Sequence, residues 1–420
     1  MMRKFPRQFC FACLGLISFA ANGAPQSPEP FPPAIGEPTA LTGATARSAE
    51  HKAPLSQSEW TYHKSADGTR PSGVEQQYVW LMNRARTNPT VEGVWLSLVP
   101  DAQIQNAVSF FNVNLDILRE EFAAIPARPP AAFDVRLHNA AVDHSNYLIS
   151  VDGQNHNGQS TRVTDAGFSW TSYRGSVFSY SRNGPYGHAG FNIDWGGNDG
   201  TGMQTGRGHR AGLMGNYSNV GVGIVEDNDN TNAIGPQVTT INYCNARSSS
   251  PDHYNRFIVG TVWEDLNGNQ LYDPGEGLGG VTVMPDSGNF FAVTGEAGGY
   301  AIPADAGNYQ LTFTGGSLAQ TVTKEVTVGT GSALVPWLNF PAEAQLVGAS
   351  VEIDSTTRET DASWSVVYGQ PTSIVVSDNL VDWEIIDSGK STIGSTVSWS
   401  EAWPGGSPRF WRVQSWSYLE

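Results

Sequence analysis

GRGHRAGLMGNYSNVGVGIVED, residues 206–227, sets a short helical segment at 207–214 just ahead of a strand at 219–226. QVTTINYC at 237–244 reads as the partner of that strand. Between them, DNDNTNAIGP carries the Asp, Asn, Gly and Pro residues of a turn-forming acidic loop. Toward the N-terminus the period changes to that of helices. Residues 74–87 (VEQQYVWLMNRART) place Val74, Tyr78, Leu81, Met82 and Ala85 on one stripe, and Asn88-Pro89 is expected to stop that helix. Residues 101–125 read as a second helical region, with Ile104, Val108, Phe111, Leu115 and Leu118 spaced by threes and fours. Residues 134–150 read as a third, with Asp134 as N-cap. From 155 to 215 the chain is rich in Gly, Ser and Asn, with scattered His and Trp.

Three segments together resemble the CAP superfamily of cysteine-rich secretory proteins, venom antigens and plant pathogenesis-related proteins. They are LMNRARTNP at 81–89, LHNAAVDHSNYLISVDGQNH at 137–156, and the Gly-His segment with its Val-Gly-Val-Gly strand at 206–227. The resemblance spans residues 74–247 and implies an α-β-α sandwich. It also implies a cleft with two histidines and two acids. By position His156 matches the first histidine and His209 the second. The family's Gly-Glu-Asn stretch is YRGSVFSY here, so Ser176 and Val177 stand in place of Glu and Asn. Asp194 corresponds to the second acid, one methylene shorter than Glu, and His188 is a further cleft candidate. Two imidazoles from separate segments can share a zinc ion, or act as acid and base. They can equally be hydrogen-bonded structural residues. No Gly-x-Ser-x-Gly elbow surrounds Ser160, Ser169 or Ser176. The family is known for binding sterols and lipids and for signalling more than for one shared reaction.

DLNGNQLYDPGE at 265–276 places Asp265, Asn267, Asn269, Asp273 and Glu276 at positions 1, 3, 5, 9 and 12 of an EF-hand-like spacing. Leu271 would supply a backbone carbonyl at position 7. Oxygen ligands at this period curl around one hard cation. Gln270 stands where an EF-hand has Gly. The wider stretch GTVWEDLNGNQLYDPGEGLGGVTV resembles the repeat B-type domains of bacterial surface adhesins. That resemblance implies a prealbumin-like β-sandwich with structural calcium in this loop. The alternative is an acidic Asx-turn without metal.

Downstream of the joint PDHYNR (251–256), short strands recur: FIVGTVW, GVTVMP, FFAVTG, YAIPA, YQLTFT, TKEVTVG and ALVPWLNF. Residues 345–420 add ASWSVVY, TSIVVSD, WEIIDSG, STVSWSEA and PRFWRVQSW. SIVVSDNLVDW and PRFWRV resemble a small β-domain found at the ends of secreted proteins of environmental bacteria. Its aromatics Trp383, Phe410, Trp411 and Trp416 either stack on sugars or fill a small core.

Residues 1–24 read as a signal peptide. Arg3, Lys4 and Arg7 precede an apolar run at 9–21 that is too short to span a bilayer, with small residues after it. PQSPEPFPPAIGEPTA lies in a Pro-rich linker over 25–72, and order is expected from Gly73. No later run is long and apolar enough for a transmembrane helix. Two of the three cysteines leave with the signal, so Cys244 has no intrachain partner and reads as a small buried hydrophobe. The formal charge of −16 disfavours nucleic acid and anionic membranes as partners.

The sequence thus predicts a multidomain secreted protein. A CAP-like α-β-α sandwich at 73–250 is followed by two small all-β sandwich modules at 256–342 and 345–420. The expected function is binding of a small apolar ligand, a peptide or a divalent metal in the two-histidine cleft. Calcium-stabilised β modules would serve for spacing or for attachment to a cell surface or extracellular matrix. A metal-assisted hydrolase using His156, His209 and Asp194, and a purely structural protein, are the alternatives.

Overall fold

The computed structural model describes residues 57–335, except 100, 198, 230, 268, 270 and 319, and beyond them 350–354, 359–365, 372–378, 383–388, 396–402 and 410–415. The expected signal peptide, residues 25–56 of the expected linker, Gln270 and Trp416 lie outside the described residues.

Helix α1 (Gly73–Thr87) starts on a capping box: the Ser72 hydroxyl accepts from Glu75 N, and the Glu75 carboxylate accepts from Ser72 N. The expected stop at Asn88-Pro89 is instead a restart. Asn88 N–H closes α1 on the Arg84 carbonyl, while its side chain caps α2 (Pro89–Leu98), where proline occupies the first turn. The second helical region divides into α3 (Ala102–Phe110) and α4 (Leu115–Ala123), capped by Asp101 and Asn114. After β2 (Ala132–Phe133), Asp134 caps α5 (Val135–Ser150), followed by α6 (Gln159–Asp165). The stretch expected as loop then forms the twelve-residue strand β3 (Trp170–Ser181), helix α7 (Gly184–Ala189), a π-turn at Gly190–Asp194 and α8 (Gly208–Leu213).

Strands β4 (Asn219–Glu226) and β5 (Gln237–Ala246) pair antiparallel within the sheet β2-β4-β5-β3. The glycines of the Val-Gly-Val-Gly strand have a packing cause. A Cβ on Gly221 would lie 2.1 Å from the Leu137 carbonyl carbon, and one on Gly223 would lie 2.3 Å from Val142 N. Helix α5 therefore rests directly on β4. Gly221→Ala or Gly223→Ala is expected to cost about 1–3 kcal/mol or more by overpacking, read as a lowered urea midpoint. Cys244 is buried on the α5 side with Leu137, Ala140 and Phe168, and burial pushes its thiol up, as befits an inert core residue.

Strands of the next region are β6 (Phe257–Thr261), β7 (Val281–Pro285), β8 (Phe290–Val293), β9 (Gly299–Pro303), β10 (Gly307–Gly315), β11 (Val322–Val328) and β12 (Ala333–Val335), each within an expected strand or overlapping it; residues 336–340 of the last expected strand lie outside the described residues. Residues 57–72, expected as the end of a linker, pack on this region. Strand β1 (Ser58–Glu59) pairs parallel with β8 in the sheet β1-β8-β7-β10-β11, and Trp60 is buried against Tyr254, Phe257 and Phe290. A second sheet runs β12-β6-β9. Further along, β13 (Ser350–Asp354), β14 (Glu359–Ser365) and β17 (Thr396–Ala402) form one sheet, and β15 (Thr372–Ser377), β16 (Glu384–Ser388) and β18 (Phe410–Ser415) another.

The expectation of an α-β-α sandwich followed by two all-β sandwiches is corrected. The described chain is mixed α/β, with eight α-helices and five small sheets of three to five strands. Its parts do not follow one another as separate units. The strand that precedes the helices completes a sheet of the downstream region. Helix α1 is also bonded to that region, through Gln76 to the Thr261 hydroxyl and through Gln77 to Tyr272 O and Asp273. Local periodicity carries no information about such long-range pairing.

Candidate functional site

Helix α8 is seated by two glycines. Arg174 donates to the Gly208 carbonyl at 2.7 Å, and a Cβ on Gly212 would meet the Tyr243 ring at 2.9 Å and Ser176 Oγ at 3.2 Å. The seat aims His209 at Asp194. Asp194 ends the π-turn with φ +57, a left-handed conformation that Asp tolerates better than most residues. Its buried carboxylate accepts from His209 N at 3.0 Å and lies 2.7 Å from His209 Nδ1. Nδ1 therefore carries the proton in the neutral ring, and Nε2 is left as an acceptor with no hydrogen bond among the described residues. The ring is 23% exposed, so this nitrogen is open to a ligand. Glu121 of α4 braces the same helix by holding Arg207 (2.9 Å) and Arg210. Burial pushes its carboxyl up, but the bonds from Arg207 and Arg210 outweigh that and leave it below its usual value.

His156 stands elsewhere. Its Nδ1 lies 2.7 Å from Gln159 Oε1, and that oxygen would be 2.5 Å from a Cβ on Gly175. Strand residues alternate in direction. Arg174 and Ser176 face α8, whereas Gly175 faces Gln159 and the α5–α6 side. The two imidazoles are thus held from opposite faces of the β3 edge. Ser176 is fully buried under α8. His188 is no cleft residue: it is fully buried, with Nε2 2.7 Å from Glu92 Oε1 and its ring 6.2 Å from Trp95.

Among the described residues no three His, Cys, Asp or Glu side chains are grouped so as to hold a metal. For zinc, this leaves His209 and His156 without a common third donor, and no catalytic step through zinc follows from the arrangement.

The loop 265–276 is richer in oxygen. Asp265, Asn269 and Glu276 are buried, and Asn267 and Asp273 close over them. Glu276 accepts from Leu266 N (3.0 Å) and Asp273 N (2.8 Å). Asp273 Oδ2 lies 2.8 Å from the Asn267 amide and 2.7 Å from that of Asn269. The oxygens of the same two amides accept from Asn269 N (3.0 Å) and Leu271 N (2.7 Å), which fixes the orientation of both side chains. Burial, with Asp273 and Asp265 adding to it against the two amide bonds, pushes the Glu276 carboxyl from its usual 4.5 to about 7. No Lys or Arg pairs with it among the described residues. Oxygen donors of these types are the kind a hard cation takes, although Asp265, Asp273 and Glu276 are not themselves drawn together as a metal-holding group among the described residues. The Leu271 side chain is buried in the main core, so the loop is anchored at its middle.

Sequence reasoning missed Gln77, Arg84, Glu92 and Glu121. Arg84 and Glu92 form a buried ion pair (2.9 Å) under Trp95, across the break between α1 and α2. Nothing periodic marks such a pair; only the rarity of buried Arg and Glu would draw attention to it.

No helix among the described residues is long and apolar enough to cross a membrane. No family model matches the chain, and no curated protein matches it. Two solved structures show a likeness. A "putative carbohydrate binding protein" from Bacteroides uniformis is 14% identical, covering 39% of this chain and 89% of its own, with a TM-score of 0.16. A DUF3823 family protein from Bacteroides ovatus is 13% identical, covering 38% and 91%, also with a TM-score of 0.16. At that score neither likeness carries an argument about fold or function.

Proposed function

We propose that the protein is an exported binding protein whose helical and strand-rich parts are braced by one calcium ion in the loop 265–276. The observation that carries this reading is where the loop sits. Gln77 of α1 donates at 2.9 Å to both Tyr272 O and Asp273 Oδ1, and Gly73 of the same helix packs on Pro274. An ion gathering Asp265, Asn267, Asn269, Asp273, Glu276 and the Leu271 carbonyl would therefore stiffen the junction with α1 as well as the loop. Calcium here is structural and supplies no chemistry to a substrate. In this reading His209, oriented by Asp194, offers Nε2 to a peptide or other small extracellular ligand.

Calorimetric titration of the chain with calcium is expected to give one site, bound more tightly than magnesium. An Asp265→Ala, Glu276→Ala variant is expected to show no site. Equal heats from both proteins would remove the basis of the proposal.

A further inference from the structure

Helix α1 is buried on two sides. Tyr78, Met82 and Ala85 enter the main core, and Leu81 is buried as well. The other stripe, with Gln76, Val79, Trp80 and Asn83 at helical spacing, forms one wall of a cavity of about 310 Å³. The opposite wall is the sheet β12-β6-β9, through Val259, Gly260, Tyr300 and Leu334, and Phe133 closes one side. This lies within the size range of small-molecule sites, roughly 300–1,000 Å³. Gly260 keeps the wall open: a Cβ there would meet Tyr300 Oη and Val335 O, each at 2.5 Å.

Two buried polar atoms on residues lining this cavity, Tyr300 Oη and His63 Nδ1, have no hydrogen-bond partner among the described residues, and both can accept. Tyr300 is 5% exposed, and its hydroxyl stands beside Gly260 on the sheet wall without a hydrogen bond. His63 is 1% exposed, and its Nε2 lies 2.9 Å from Val293 O. A carbonyl only accepts, so Nε2 carries the proton and Nδ1 is a bare lone pair without a partner. Leaving buried polar atoms unmatched costs about 1–3 kcal/mol each.

We propose that this cavity is a binding site for a small aromatic alcohol: a flat apolar body lying between Trp80 and the sheet, with one hydroxyl donating to Tyr300 Oη or to His63 Nδ1. The proposal is independent of calcium and of the His209 site.

The probe is 1-naphthol, followed by its own fluorescence on titration into the full chain, with naphthalene as competitor. Saturable one-site binding is expected, and naphthalene should compete at least ten-fold more weakly for want of the hydroxyl. Leu334→Trp fills the cavity from the sheet side, and Thr87→Trp closes it from an exposed position on α1. Each is expected to weaken 1-naphthol at least ten-fold. Thr87→Trp decides the matter if Leu334→Trp fails to fold, because it buries nothing in the core. Tyr300→Phe should weaken 1-naphthol about five-fold or more and leave naphthalene unchanged. Absence of saturable binding, or affinity unchanged by the folded blocking variants, would overturn the proposal.

Discussion

Saturating calcium is expected to raise the melting temperature of the cation-free protein at pH 8 by about 5 °C. An ion at a hundred times its Kd contributes about 2.7 kcal/mol by mass action, and for a folded unit of this size each kcal/mol moves the transition about 2 °C. The sign with pH follows from Glu276. Its carboxyl is pushed up to about 7 when folded against a usual 4.5. A raised acid contributes its stability below pH 4.5 and loses it as pH rises through 7. At pH 8 the loop thus carries a charge that costs roughly 1–3 kcal/mol, with solvent screening allowed for. The calcium response should therefore be larger at pH 8 than at pH 5.5. Glu276→Gln separates the two effects. It should stabilise the cation-free protein at pH 8 and abolish the calcium shift. A calcium shift in Glu276→Gln equal to that of the parent would contradict the ligand assignment.

Glu92→Gln is expected to destabilise the protein by about 3–5 kcal/mol, because it leaves the Arg84 guanidinium buried without its carboxylate. Urea denaturation measures it through the midpoint at constant slope. Burial alone would raise the Glu92 carboxyl, but Arg84, then His188, overcome it and hold it at about 2. A depressed acid contributes its stability above its unfolded value of 4.5 and loses it as pH falls toward 2. Acid unfolding of the parent in that window should be steeper than that of Glu92→Gln. Burial also lowers His188, which fits a neutral ring donating to Glu92. Replacing the pair together by Arg84→Met and Glu92→Leu should recover much of the loss, since no lone charge is then buried. If the double change costs as much as the single one, the pair is not the cause.

How much of this was legible in the sequence depends on the range of the interaction. Helix α5 and its Asp134 cap, helix α8 and strands β4 and β5 carry their signals within a few residues, and they form where expected. The strand-rich region from Phe257 to Val335 reads well for the same reason. Helix α2 was hidden because Asn-Pro both ends one helix and starts another; a stop and a restart look alike without the fold. Strand β3 was hidden by its composition. WTSYRGSVFSYS lies at the edge of its sheet, with few buried apolar residues to set a period. The pairing of β1 with β8 joins Ser58 to Phe290, and no local pattern reports a partner that distant.

The site divides in the same way. Oxygen donors at positions 1, 3, 5, 9 and 12 lie within one loop, so spacing alone brings them together. His156 and His209 lie on separate segments, and whether they meet depends on which face of β3 each approaches. The alternation of Arg174, Gly175 and Ser176 decides that, and it sets the two rings on opposite faces. His188 looked equally free in the sequence, yet Glu92 from another helix takes it into the core.

Terbium luminescence tests the calcium brace most directly, because Trp263 just precedes the loop and Tyr272 lies within it, with ring centroids 5.9 Å apart, and both can pass excitation to an ion held there. Sensitised emission should rise to a plateau at one equivalent of terbium, fall on addition of calcium, and be absent in the Asp265→Ala, Glu276→Ala variant. Emission of the same size from that variant, or none from the parent protein, would show that no ion is held between these residues.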